Sequence, residues 1–212
     1  MEEIIIETWK RKEYYLFFKN IGYPNYNVCF DIDITRLYSF IKDRKMPIYY
    51  SLVYYFMYCA NQIEAFKYRR INEKVFKFET VHPSFTVMDT DSELFKIVTV
   101  LFDKSPFKFI EEAIKKSKDQ KGIIDATIEN REDIIHITSI PWINFTSISH
   151  PISLEKFDSI PRISWGKFVT KDKKINLPFS VQVNHAFVDG IHIGKYYEHI
   201  EKNFSRLESI FG

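Results

Sequence analysis

The residues best placed to do chemistry lie in one stretch, Leu177 to Glu198, which reads LPFSVQVNHAFVDGIHIGKYYE. His185 closes an alternating run. Leu177, Phe179, Val181 and Val183 share its parity, while Pro178, Ser180, Gln182 and Asn184 take the other, the period-two pattern of a half-buried strand. Asp189-Gly190 breaks the pattern, and Ile193, Tyr197, Ile200 and Phe204 resume at helical spacing. A titratable ring therefore stands at the carboxyl end of a strand, with a carboxylate four residues later at the mouth of a helix. An imidazole that titrates near neutrality can take a proton from a hydroxyl and give it back. The small residues Ala186 and Gly190 leave room beside it. The His-x-x-x-Asp spacing alone leaves two readings open, a structural histidine and a catalytic one. The other histidines, His82, His136, His150, His192 and His199, show no ligand spacing on a shared helix face, so no metal site is expected.

The elements that must position this stretch can be read from period and punctuation. The pattern predicts strands at Ile4–Glu7, Val28–Ile34, Val75–Phe78, Ser84–Met88, Phe95–Leu101 and Ile134–Ile140. A single strand over Ile160–Val169 is expected to turn at Lys171–Lys174 and pair antiparallel with Ile175–His185. Trp9 to Tyr14 opens a polar-aromatic segment, and Gly22–Asn27 reads as a loop. Helices are expected over Thr35–Lys45, from Pro47 to about Ile63, and from Ser105-Pro106 to near Lys118, with Ser105 as N-cap and proline in the first turn. The second of these is apolar nearly all round and is expected to be buried. Gly122–Glu132 reads as loop. Helices mixed with late hairpin turns give an α+β class with a mixed sheet.

Composition bounds the function. The chain's 212 residues carry no visible linker, so one domain over 1–212 is expected. A net charge of +2 argues against a nucleic-acid partner. No apolar run is long enough to span a bilayer, and the acidic start MEEIIIETWKRK does not read as a signal peptide, so a cytoplasmic protein with no membrane partner is expected. Cys29 and Cys59 have neither metal nor redox spacing and read as ordinary thiols. Aromatic content of 17% supplies area for a large core, an interface and a pocket.

SVQVNHAFVDGIHIGKYYEHIE resembles the chloramphenicol acetyltransferase signature, whose pattern is His-His-x-x-x-Asp-Gly-x-His. Further motifs follow the family in order: Trp9-Lys10-Arg11-Lys12-Glu13-Tyr14, Asp33-Ile34-Thr35, Pro83-Ser84-Phe85-Thr86-Val87, Phe95, and Pro141-Trp142-Ile143-Asn144-Phe145-Thr146-Ser147. The resemblance spans nearly the whole chain. It implies the CoA-dependent acyltransferase fold, a mixed β-sheet flanked by helices. It implies acetyl-CoA as co-substrate, a small hydroxyl acceptor, and a homotrimer with active sites between subunits.

It also implies roles. His185 matches the general base, and Ser147 matches the serine that donates to the oxyanion of the tetrahedral intermediate. Arg11 and Asp189 match a buried ion pair that shapes the site. Phe18, Tyr26, Thr86, Phe95, Arg162 and Ser164 match positions on the substrate side, Ser164 standing where a threonine holds a water. Lys167 matches a lysine near the cofactor, or is a solvated strand-end charge. Asn184 replaces the first histidine of the pair, a side chain that is not the base. Arg162 stands where the family has an aliphatic wall residue, and a guanidinium there would favour an anionic acceptor over an apolar aromatic one. Two other readings share these residues. One is the acyltransferase core of 2-oxo acid dehydrogenase complexes, whose lipoyl and peripheral-subunit-binding domains have no counterpart here. The other is a binding module that has kept the fold without catalysis.

Overall fold

The computed structural model describes residues 1–89, 92–125, 131–153 and 157–212. A small antiparallel sheet joins β1 (Glu2–Ile4), β4 (Lys74–Lys77) and β3 (Tyr68–Ile71), in the order β1-β4-β3. The large sheet runs β2 (Asn25–Asp33), β10 (Lys174–Asn184), β8 (Arg162–Trp165), β7 (Ile134–Ser139), β5 (His82–Met88) and β6 (Phe95–Thr99), and β9 (Val169–Lys171) also pairs with β10. The β5–β7 and β7–β8 pairs are parallel and the others antiparallel, so the sheet is mixed. The helices are α1 (Lys12–Phe18), α2 (Thr35–Asp43), α3 (Ile48–Ala60), α4 (Pro106–Asp119), α5 (Gly190–Asn203) and α6 (Leu207–Phe211).

Local chemistry explains the helix starts. Asp33 Oδ1 accepts from both the amide and the hydroxyl of Thr35 (3.1 and 2.6 Å), which turns β2 into α2. Pro47 is the N-cap of α3, and Pro106 occupies the first turn of α4, where a missing N–H costs nothing. Ser105 takes the cap position, but its hydroxyl makes no capping bond. Leu37 and Ile41 of α2 and nine of the thirteen residues of α3 are buried in the core. Phe56 packs on Phe179 with ring centroids 4.7 Å apart.

Register sorts the large sheet into rows. Val98, Phe85, Ile137, Ile163, Val181 and Val28 are paired neighbours in one row, on the face that packs against the helices. The adjacent row reads Thr99, Ser84, His136, Arg162, Gln182 and Asn27, so the opposite face carries a polar band across the sheet. β5 and β7 stay paired only to Phe85↔Ile137. Beyond that point Thr86–Met88 remain with β6, and Thr138–Ser139 remain with β8. The sheet splits there. The Tyr49 hydroxyl donates to Thr86 O at 2.6 Å, satisfying a carbonyl that the split leaves without a ladder partner on that side.

Several expectations are corrected. The strand placed at Ile4–Glu7 lies at Glu2–Ile4, followed by a 3-10 turn over Ile6–Thr8. The segment from Trp9 contains α1, and β3 joins β4 through Asn72-Glu73, both at positive φ, where no hairpin was expected. Part of the Gly122–Glu132 loop lies outside the described residues. β10 is buried on both faces from Leu177 to Asn184 rather than half-buried, because the segment after β7 covers its polar side. The inward stripe of α5 is Ile193, Tyr196, Ile200 and Asn203, leaving Tyr197 and Phe204 half-buried.

The expected strand Ile160–Val169 is two strands, β8 and β9, interrupted at Gly166. There the Gly166 amide donates to Pro178 O at 2.9 Å and the Lys167 amide to Ile143 O at 2.8 Å. A Cβ on Gly166 would lie 2.9 Å from Ile143 O and 3.1 Å from the Phe145 ring. Backbone at that distance does not yield cheaply. Gly166→Ala is expected to lower unfolding free energy by about 1–3 kcal/mol in a denaturant melt; an unchanged midpoint would show that the 143–145 segment can move away.

Candidate active site

β10 ends at Asn184, and the His185 amide still reaches Pro24 O at 2.9 Å. The turn beyond is held by Arg11, which lies just before α1. Arg11 Nε donates to Ala186 O (2.8 Å), Nη2 to His185 O (2.8 Å) and to Asp189 Oδ1 (2.6 Å), and Nη1 to Asp189 Oδ2. Asp189 is in turn the N-cap of α5, and its amide donates to His192 Nδ1 at 2.9 Å. The hydrogen bonds from Arg11 hold the Asp189 carboxyl below the usual carboxylate range. The pair is partly buried, with side-chain exposures of 13% and 29%.

Aromatic rings, not small residues, flank the His185 imidazole. It stacks on Phe18 with centroids 4.1 Å apart and planes 10° from parallel, and Tyr26 tilts over it at 4.6 Å. The Tyr26 hydroxyl donates to Val188 O at 3.3 Å, and burial pushes its pKa up to about 12, so it is a neutral phenol. His185 Nδ1 is buried, lies 3.1 Å from Asp189 Oδ1 without hydrogen-bond geometry, and has no hydrogen-bond partner among the described residues. The side chain as a whole is 36% exposed, so the open edge of the ring carries Nε2.

The split between β5 and β7 opens a cavity of about 970 Å³. Its walls include Leu52, Thr86, Phe95, Trp165 and Lys167, together with the polar residues Ser84, His136, His150 and Arg162. Four residues singled out in the sequence therefore meet here: Thr86, Phe95, Arg162 and Lys167. Arg162 is not an open cation. Its terminal nitrogens grip both carboxylate oxygens of Asp158, and Nη1 also donates to Ile160 O at 3.0 Å. The charge that would have drawn an anionic acceptor is thus neutralised in place. Ser164 is buried beneath, its hydroxyl 2.6 Å from His150 Nε2, so that hydroxyl is engaged by an imidazole. Burial, aided by the Arg162 charge, pushes the His136 pKa down to about 4 and lowers that of His150.

The sequence reading set His136 and His150 aside for lack of ligand spacing and did not single out Asp158. None has ligand spacing with another, and register alone places His136 beside Arg162. The one signal was parity: His136 is the polar break in Ile134-Ile135-His136-Ile137. Among the described residues no group of three His, Cys, Asp or Glu could hold a metal ion. No described helix is long and apolar enough to cross a membrane.

Within one chain these residues form two separate groups. Arg11, Phe18, Tyr26, His185 and Asp189 gather at the strand end, and neither His185 nor Ser147 lines the cavity. Ser147 is exposed in the segment between β7 and β8 and makes no hydrogen bond to a described residue.

A model of the chloramphenicol acetyltransferase family matches residues 1–201. A chloramphenicol acetyltransferase from Staphylococcus aureus is 32% identical over 199 residues, covering 91% of this chain and 93% of the relative. A solved chloramphenicol acetyltransferase superposes with a TM-score of 0.86 at 20% identity, covering 94% of this chain and 97% of that one. The cubic core of the pyruvate dehydrogenase multienzyme complex superposes at 0.68 with 16% identity, covering 100% of this chain and 94% of that one. The fold is the CoA-dependent acyltransferase fold that the sequence motifs implied.

The Arg11–Asp189 pair gives stability a definite pH dependence. A carboxyl held below its unfolded pKa stabilises the fold above that pKa and loses the effect as pH falls through the folded value. Asp189→Asn is expected to destabilise the protein by about 1.5–3 kcal/mol near neutrality, the range for charge-assisted hydrogen bonds. The gap between the two thermal melts should begin to narrow as pH falls below about 4 and go on closing through the lowered folded pKa. A gap that stays constant from pH 7 to pH 3 would remove the ion pair as its cause.

Proposed function

Since this chain belongs to the chloramphenicol acetyltransferase family, we propose that it is an acetyl-CoA-dependent O-acetyltransferase. Its acceptor is a hydroxyl of chloramphenicol or a related small alcohol. His185 is the general base. Nε2 takes the proton of the acceptor hydroxyl as the oxygen attacks the thioester carbonyl of acetyl-CoA. The tetrahedral intermediate carries its negative charge on the former carbonyl oxygen, to which the Ser147 hydroxyl donates. Collapse breaks the carbon–sulfur bond, and the CoA thiolate recovers the proton from the imidazolium. No acyl-enzyme forms. Arg11 and Asp189 act through the turn: they position the imidazole and do not touch the reacting atoms.

The observation that carries this reading is the setting of His185. Its ring is clamped by Phe18 and by a braced turn, and its Nε2 edge is open. The cavity supplies room for acceptor and cofactor, with Lys167 exposed at one end for CoA. A homotrimer would bring the base of one protomer to the cavity and Ser147 of its neighbour, which one chain holds apart. The exposed Tyr14, Phe17, Ile21 and Tyr23 beside the base give such a contact an apolar surface. Acetyl-CoA as co-substrate fits a cytoplasmic setting.

Thiol release from acetyl-CoA in the presence of chloramphenicol tests the activity. His185→Ala should lower kcat by about 10²–10⁴-fold, the usual worth of a general base. Activity within tenfold of wild type would end its assignment. Ser147→Ala should lower kcat by about 10²–10³-fold with little change in either KM; an effect confined to KM would make Ser147 a binding residue. Sedimentation should give three protomers, and a monomer with full activity would exclude a shared site.

A further inference from the structure

The proposed chemistry gives no task to Asn184, the last residue of β10 and the neighbour of His185 in the chain. Its side chain is 3% exposed, and both ends of its amide are engaged. Oδ1 accepts from the Ala186 amide at 2.9 Å, and Nδ2 donates to Asp158 O at 2.9 Å. These two partners fix which way the side-chain amide points, because a backbone N–H needs an acceptor and a carbonyl needs a donor. The Asn184 carbonyl accepts in addition from the amides of Phe187 (3.1 Å) and Val188 (3.0 Å). One residue thus serves three amides of the turn.

The consequence for His185 follows from the two peptide planes that meet at its Cα. In the plane before it, the His185 amide donates to Pro24 O, and the Asn184 carbonyl accepts from Phe187 and Val188. In the plane after it, the His185 carbonyl accepts from Arg11 Nη2, and the Ala186 amide donates to Asn184 Oδ1. A planar peptide gripped at one end can swing about that grip, and one gripped at both ends cannot. With both planes held, the backbone dihedrals of His185 are set, and with them the direction of its side chain. Arg11 takes only one end of the second plane, and Asn184 takes the other. Ala186 is fully buried, so water cannot stand in for the missing acceptor. The far anchor is itself tied down. The Asp158 carboxylate holds Arg162 of β8, and the adjoining Ser159 Oγ accepts from the Arg70 amide of β3 at 3.2 Å.

We propose that Asn184 is a positioning residue for the general base. By closing the turn onto the Ala186 amide it completes, with Arg11, the hold on the peptide after His185, and so aims the imidazole. The position calls for a short side chain that accepts from a backbone amide two residues on, which asparagine and aspartate do in turns. It also calls for a donor toward Asp158 O, which asparagine has and aspartate lacks. Asn184 acts through His185 and touches no reacting atom. The inference rests on His185 being the base of the proposed acetyl transfer.

Two variants separate aim from stability. Asn184→Leu removes both bonds at similar size. Asn184→Ser keeps an acceptor for the Ala186 amide and gives up the reach to Asp158. In the thiol-release assay the leucine variant should lower kcat by about 10–100-fold, the cost of a slightly misplaced group, with KM for acetyl-CoA and for the alcohol within about twofold. The serine variant should fall between it and the wild type. A second readout is independent of turnover. In protein carrying isotopically labelled histidine, the His185 ring signals, identified by their loss in His185→Ala, should be displaced by the Phe18 ring on which they stack. The leucine variant should move them toward free-histidine positions, and the serine variant should leave them near their wild-type positions. Unmoved signals in the leucine variant would overturn the proposal even if its melting temperature falls, since a purely structural loss does not turn the ring. A raised KM with kcat intact would overturn it as well. Full turnover in the leucine variant would sink it and leave acetyl transfer standing. Moved signals with no turnover in any form, wild type included, would uphold the hold on the ring and sink the proposed activity. If the leucine variant does not fold, hydrogen exchange in the wild type decides: slow exchange of the Ala186 amide supports the proposal, and exchange as fast as in an exposed loop overturns it.

Discussion

One guanidinium sets the geometry on which the site depends. Arg11 places its donors on the carbonyls of His185 and Ala186 and on both oxygens of Asp189, all within a five-residue turn. A strand that ends in a turn must find partners for the carbonyls that leave the ladder. Here a side chain from the opposite end of the chain supplies them. The planar fork matters, because a lysine could satisfy one acceptor at a time and would leave the turn free to rotate. With the turn fixed, the start of α5 and the direction of the His185 ring are fixed as well. Phe18, at the end of the helix that Arg11 precedes, completes the clamp by stacking on the imidazole. Arg11 and Phe18 therefore act on His185 through one short element.

The second constraint is the parting of β5 and β7. Parallel pairing ends at Phe85↔Ile137 although both strands continue, each with its other neighbour. A sheet can open this way only if the abandoned carbonyls and amides are met otherwise, and Tyr49 reaches in from α3 to do so at Thr86. The cavity is thus a consequence of pairing, and its lining follows from parity. Residues of the polar row come to it from one face, while Leu52 and Tyr49 come from the helix side. The segment after β7 covers the rest of the polar face: His150 exchanges hydrogen bonds with Gln182, and Asn184 Nδ2 donates to Asp158 O at 2.9 Å. That cover turns what looked like a half-exposed strand into a doubly buried one.

The degree to which the sequence disclosed this arrangement differs by residue, for physical reasons. The strand to His185 and the helix after Asp189-Gly190 were legible because period and punctuation are local. Polar parity in Ser180, Gln182 and Asn184 reads as solvent exposure unless one knows what lies above it, and here polar chain does. The break at Gly166 was invisible because it is caused by Ile143 and Phe145, which approach from another part of the chain. The β3–β4 hairpin was missed because its positive-φ turn is Asn72-Glu73, without the glycine that usually marks such a turn. Arg11 and Asp189 could be paired in advance only through the family resemblance, since nothing local links residues 178 apart. Parity marked His136 as a polar break, but its meeting with His150 and Asp158 could not be read in advance, as that proximity depends on the register of β7 against β8 and on the path of the loop between them.

The position of Asp189 bears on how His185 can work. A carboxylate 3.1 Å from an imidazole nitrogen invites comparison with the aspartate of a catalytic triad, which orients its histidine by accepting from Nδ1. Here the comparison fails on geometry. Both Asp189 oxygens are committed to Arg11, and Nδ1 receives no aligned hydrogen bond from the described residues. The pair presents the ring with a dipole instead of a lone negative charge. What holds the ring is shape: a face stacked on Phe18, an edge beneath Tyr26, and a backbone pinned by Pro24 O and Arg11. In the proposed transfer, a base oriented by packing would present Nε2 without a buried carboxylate behind it, and holding the imidazole in line with the acceptor hydroxyl would be what this clamp supplies.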